Sequence, residues 1–205
     1  MFSMLISSLA FAAPAEDGLR LAARGLGISL ADQDIGALYR SSWFTAGGAV
    51  VVPVVDQVAL DVEVTYKRMS GVTRHPDTHE LDADTASLEL VPITALGLYE
   101  VPTGRGDLYL GLGWSMVTFR QYDVVGNDEH PSGQIAGTKV CPEVRLGTRI
   151  DTGLVEAPLA PIGGPMAEAL EVELYVARRK QLSGGNAEGF DLSAWRFAGG
   201  LAVRF

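Results

Sequence analysis

From Val58 to Lys67 the chain alternates without a break. Val58, Leu60, Val62, Val64 and Tyr66 fall on one side, and Ala59, Asp61, Glu63, Thr65 and Lys67 on the other. Successive side chains of an extended strand point to opposite faces, so this spelling specifies a β-strand with one apolar and one polar face. The pattern returns in Asp107 to Phe119, where Leu108, Leu110, Leu112, Trp114 and Met116 oppose Tyr109, Gly111, Gly113 and Ser115. Lys139 to Ile150 sets Val140, Pro142, Val144, Leu146 and Ile150 against Lys139, Glu143, Arg145 and Arg149. Ala169 to Arg179 sets Leu170, Val172, Leu174 and Val176 against Glu171, Glu173, Tyr175 and Arg179. The last segment places Trp195, Phe197, Leu201, Val203 and Phe205 opposite Arg196, Gly200 and Arg204. Gly18 to Leu30, Trp43 to Pro53 and Ser87 to Val101 complete eight strands, the first two alternating less cleanly. An even set of such strands suits an all-β meander closed into a barrel with both ends on one side.

The connections sort by length. Val54 to Gln57 and Pro102 to Gly106 are short, whereas Ala31 to Ser42, Met69 to Ala86, Gln121 to Thr138 and Lys180 to Asp191 are long and polar. Long and short alternate, which puts the long loops at one end of the barrel. The Pro/Gly-rich stretch Asp151 to Glu168 breaks this rule, being long where a tight turn is expected.

A net charge of −9 excludes the basic footprint of a nucleic-acid binder, and the single cysteine, Cys141, excludes an internal disulfide framework. That acidity accompanies a positive mean hydropathy of +0.18. The long connections carry most of the net negative charge, while the polar strand faces are nearly balanced. On those faces Asp61, Glu63, Glu89, Glu143, Glu171 and Glu173 meet Lys67, Lys139, Arg145, Arg149, Arg179, Arg196 and Arg204. An enclosed lumen needs such a balance, because an unpaired charge shielded from water is costly. Aromatic residues near strand ends on the apolar face (Tyr66, Trp195, Phe205) fit an interfacial girdle. A soluble barrel of lipocalin type, with the apolar side inward, is the competing arrangement.

The alternation, segments such as Leu108-Tyr109-Leu110-Gly111-Leu112-Gly113 and the terminal run Phe197 to Phe205 resemble the small eight-stranded outer-membrane barrels of Gram-negative bacteria. That group includes the OmpA membrane domain and the OmpX-like, OmpW-like and opacity-type proteins. The resemblance implies an eight-stranded antiparallel up-and-down transmembrane β-barrel, integral to the outer membrane, with extracellular loops and both termini periplasmic. It implies a structural or interaction role and a monomer in contact with outer-membrane lipid and lipopolysaccharide. It also makes Trp195, Phe197, Leu201, Val203 and Phe205 a terminal signal for the barrel-assembly machinery. Met1 to Ala15 has the apolar length and small-residue ending of a secretory signal peptide, which leaves residues 16–205 for the barrel.

An eight-stranded barrel is just wide enough for side chains to fill, so a lumenal network of Asp61, Glu63, Lys67, Glu143, Arg145, Arg149, Glu171, Glu173 and Arg196 is expected to plug it. An OmpW-like conduit for small apolar molecules would instead need an apolar upper lumen. Arg68, Arg120 and Arg178 interrupt the apolar face near the loop ends of their strands, where guanidinium groups could pair with lipopolysaccharide phosphates. His75, Asp77, His79, Glu80, Asp82 and Asp84 match no defined metal spacing and read as an acidic loop, with no metal or cofactor expected. His130 and Ser132 with Glu143 echo the constellation of a barrel-embedded lipid A deacylase, but Pro131 and its polar neighbours put the pair in a loop away from Glu143. No enzymatic activity is therefore expected, and Cys141 reads as a small packing residue.

Overall fold

The computed structural model describes residues 18–31, 39–40, 44–74, 81–125, 128–153, 169–182 and 191–205. Eight long strands follow in chain order: β1 (Arg20–Leu30), β2 (Phe44–Val55), β3 (Val58–Arg74), β4 (Leu81–Pro102), β5 (Gly106–Val125), β6 (Asp128–Asp151), β7 (Ala169–Arg179) and β8 (Ala194–Arg204). Each pairs antiparallel with its sequence neighbour. Between β1 and β8 the ladder runs from Arg20 opposite Arg204 to Leu30 opposite Ala194, closing the sheet into a barrel. The dipeptide Tyr39–Arg40 adds a short rung against Gly71 and Ser70 of β3.

The turns have local causes. Asp56 and Gln57 reverse the chain between β2 and β3, with Gln57 in the left-handed region (φ 63°) and its side chain accepting a hydrogen bond from Tyr99 Oη at 2.9 Å. Between β4 and β5, Gly104 takes a φ of 82°, which a residue without Cβ adopts at no steric cost. Gly106 is required for a different reason, since a Cβ there would lie 2.0 Å from the Arg149 carbonyl oxygen. The long connection after β6 starts and ends pinned: Thr152 donates to Leu170 O from its amide at 3.0 Å and its hydroxyl at 2.7 Å.

Strand lengths differ from expectation at the loop end. Residues 69–86 and 121–138, expected as connections, are largely strand. Val72 lies opposite Thr85, Tyr122 opposite Pro131 and Val124 opposite Glu129. Here the wall is no longer apolar on one side, so the alternation that marks a strand fades while the backbone ladder continues.

Burial confirms the facing of the clean strands. Leu60, Val62, Val64 and Tyr66 are exposed, whereas Ala59, Asp61, Glu63, Thr65 and Lys67 are buried. On β5 and β6, Leu112 and Leu146 are 57% and 58% exposed, while Arg145 between them is wholly buried. The apolar face is thus the outer wall, and the charges line the interior. Among the described residues no helix is long and apolar enough to cross a membrane.

Candidate functional site

The lumen is filled at mid-height by an interlocked charge network. Glu63 of β3 is its hub. Its carboxylate accepts from Arg24 Nη1 at 2.8 Å, Arg145 Nη2 at 3.3 Å, Tyr175 Oη at 2.7 Å and, closely, from Arg196 Nη2. Arg24 also forks onto Glu173 at 2.6 and 3.0 Å. Arg145 reaches Asp61 at 2.6 Å and Glu143 at 3.3 Å, and Arg196 holds both Glu143 oxygens at 2.7 and 2.9 Å. The Arg145 guanidinium stacks on the Tyr175 ring, 4.1 Å from its centroid. These groups come from β1, β3, β6, β7 and β8, so the network ties opposite walls together across the barrel.

Towards the turn end the network continues. Arg149 binds Glu100 closely and Glu173 at 3.3 Å, and lies over the Tyr109 ring, whose hydroxyl donates to Glu173 at 2.8 Å. Arg20 bridges Glu100 at 3.2 Å, Glu171 at 3.3 Å and Asp107 at 3.5 Å, and Arg204 reaches Glu171 at 3.4 Å. Gly147 makes room for Tyr109: a Cβ there would meet the ring at 2.4 Å.

Towards the loop end the lining changes character. Tyr39, Met69, Ala86, Leu88, Leu90, Val117, Phe119 and Leu192 form a buried apolar cluster, with Leu30 packed against it. Lys139 sits over the Phe119 ring at 5.6 Å, and Cys141 is buried, as expected of a packing residue. Arg179, fully buried, donates to Leu192 O at 3.1 Å and Ser115 Oγ at 3.4 Å.

Every residue of the expected lumenal network is buried in the interior, Lys67 included. Four partners escaped the sequence reading: Arg20, Arg24, Glu100 and Asp107. On β1 the signal was two arginines four residues apart, hence on one face, obscured because Leu26 and Ile28 share that inner face while glycines stand outside.

Glu89, assigned to the lumen on its charge, instead faces outward. It lies in register between Arg68 of β3 and Arg120 of β5. Leu88 and Leu90, the neighbours that alternate with it, are the inward residues of β4. Arg178 is on the outer face too, but separately: it lies opposite Val144 and Trp195, whereas Arg120 lies opposite Ala136 further up β6. Its guanidinium stacks on the Trp195 ring at 5.1 Å. Nearby Asp191 is held below the usual carboxylate range by hydrogen bonds from Ser193, whose amide donates at 2.8 Å.

Of the terminal residues, Trp195, Phe197 and Leu201 are exposed on the outer wall, and the Phe205 amide donates to Leu19 O at 2.9 Å. His130 and Ser132 belong to strand β6 rather than to a loop, with His130 opposite Asp123. Glu143 lies 13 residues beyond His130 and 11 beyond Ser132 on the same strand, roughly 40 Å at the rise of a β-strand. It is committed to Arg145 and Arg196, so these three residues form no triad. Residues 1–15, His75, Asp77, His79 and Glu80 lie outside the described residues, as do the side chains of Asp82 and Asp84. Among the described residues no cluster of metal-ligating side chains occurs.

No protein-family model and no curated protein sequence matches the chain. Solved structures do. The crystal structure of neisserial surface protein A aligns over 95% of this chain and 100% of its own, with 14% identity and a TM-score of 0.53. The outer membrane protein OprG from Pseudomonas aeruginosa aligns over 94% and 98%, with 14% identity and a TM-score of 0.55. At such identity the likeness speaks for the fold. The chain has the closed eight-stranded antiparallel architecture of the small outer-membrane β-barrels of Gram-negative bacteria.

Proposed function

We propose that the protein is an integral outer-membrane barrel with a plugged lumen, acting through its wall and loops rather than as an open pore. One observation carries this reading: the exposed surface of the strands is apolar while the interior is closed by ion pairs with Glu63 at their centre. An apolar wall of this extent needs a cover, and hydrocarbon supplies it. The long-loop end then faces outward and both termini face the periplasm, as in barrels built this way. Its partners are outer-membrane lipid, lipopolysaccharide and, through the terminal strand, the barrel-assembly machinery; it works as a monomer without cofactor. No enzymatic step is assigned. Outer-membrane fractionation with heat-modifiable migration tests the location, and planar-bilayer recording tests the plug. The reading fails if the protein stays soluble, or if it conducts steadily.

A second reading draws on the buried apolar cluster around Met69, Leu88 and Phe119 at the loop end of the lumen. That lining suits entry of small apolar molecules, provided a path leaves sideways above the charge network. Cells producing the protein would then accumulate an apolar fluorescent probe faster than cells producing Met69→Asp. Equal rates reject this conduit.

A further inference from the structure

The outer wall carries a charged cluster at the loop-end border of its apolar belt. Arg68, Glu89 and Arg120 stand in register on β3, β4 and β5. Glu89 accepts a hydrogen bond at each oxygen, from Tyr66 Oη at 2.9 Å and from Tyr122 Oη at 3.0 Å. With both oxygens engaged by phenols, the carboxylate approaches Arg68 only to 3.8 Å. Arg68 also donates to Ser87 Oγ at 3.3 Å. Arg120 donates to Tyr122 Oη at 3.5 Å, beside that residue's ring, and among the described residues has no carboxylate within salt-bridge distance. A guanidinium has five N–H donors, so Arg120 keeps most of its capacity for an incoming acceptor.

We propose that Arg68 and Arg120 bind the phosphate of one anionic lipid lying against the wall, with Glu89, Tyr66 and Tyr122 as the frame that sets their spacing. Two strand steps separate the arginines by about 10 Å at Cα, within which two long side chains can converge on one headgroup. Guanidinium forks match the several oxygens of a phosphate. The ligand is a lipid rather than a free ion because Val64, Met116 and Val140 continue the same wall as exposed apolar surface for its chains. Arg178 is excluded from the site: it lies along the register of β7 and β8, stacked on Trp195.

The inference rests on the membrane reading, which heat-modifiable migration of the same samples checks separately. Full-length barrel in detergent is titrated with phosphatidic acid or phosphatidylcholine and bound lipid is counted by native mass spectrometry. The wild type should retain one phosphatidic acid in preference to phosphatidylcholine. Affinity should fall about tenfold for each of Arg68→Gln and Arg120→Gln, as loss of one charge-assisted contact implies. Arg178→Gln should bind like the wild type, and excess inorganic phosphate should not displace the lipid. The proposal is overturned if folded wild type shows no preference, if the double variant keeps it, if Arg178→Gln loses it equally, or if inorganic phosphate competes as well as the lipid.

Discussion

Replacing Glu63 by Gln would test the hub of the network. The change keeps the side-chain shape but removes the charge that Arg24, Arg145 and Arg196 share, and its new amide N–H₂ turns donors towards guanidinium donors. Arginine cannot shed its proton, so the surplus positive charge has no chemical escape. Breaking one partner of a buried ion pair costs about 3–5 kcal/mol. The lower end applies here, because each arginine keeps another carboxylate: Arg24 has Glu173, Arg145 has Asp61, and Arg196 has Glu143. Reversible urea unfolding in lipid vesicles, followed by tryptophan emission and heat-modifiable migration, should show a loss of about 3 kcal/mol. The double variant Glu63→Gln/Arg196→Met should lose less than the two single changes summed, since the second removes a cation the first orphaned. A loss below about 1 kcal/mol for Glu63→Gln, or strict additivity in the double variant, would refute the hub.

Two smaller changes probe the same lumen. Tyr175→Phe deletes the hydroxyl that donates to Glu63 while keeping the ring under Arg145, and should cost about 1–2 kcal/mol in the same titration. Gly147→Ala drives a methyl against both the Tyr109 ring and the Leu174 carbonyl oxygen and should cost about 1–3 kcal/mol in the same titration.

Much of this architecture was legible because strand periodicity is a local property. Val58 to Lys67 reads correctly from ten residues: its two faces differ sharply in polarity, and the Asp56-Gln57 turn starts it cleanly. β1 was harder, since its inner face mixes Arg20 and Arg24 with Leu26 and Ile28, serving the charge network below and apolar packing above. Glu89 shows that charge alone does not mark the interior. The neighbours Leu88 and Leu90 fix its parity, and the reason a carboxylate tolerates the outer face lies on other strands, in Arg68, Tyr66 and Tyr122. The extensions of β3 to β6 past the apolar wall were invisible for a related reason: once neither face is apolar, pairing persists through the backbone and leaves no trace in side-chain alternation. The apolar upper lumen was missed because its members come from separate strands and from Tyr39 and Leu192 outside the long strands.

Contact of the apolar face with lipid is measured most directly by tryptophan quenching. Trp114 and Trp195 both stand on that face, about half exposed. A Trp43→Phe variant, leaving only these two indoles, should be reconstituted into vesicles of phosphatidylcholine with brominated acyl chains. Contact with the acyl chains gives strong quenching of tryptophan emission by the bromines and weak quenching by aqueous iodide. Emission untouched by brominated lipid but quenched by iodide would contradict it.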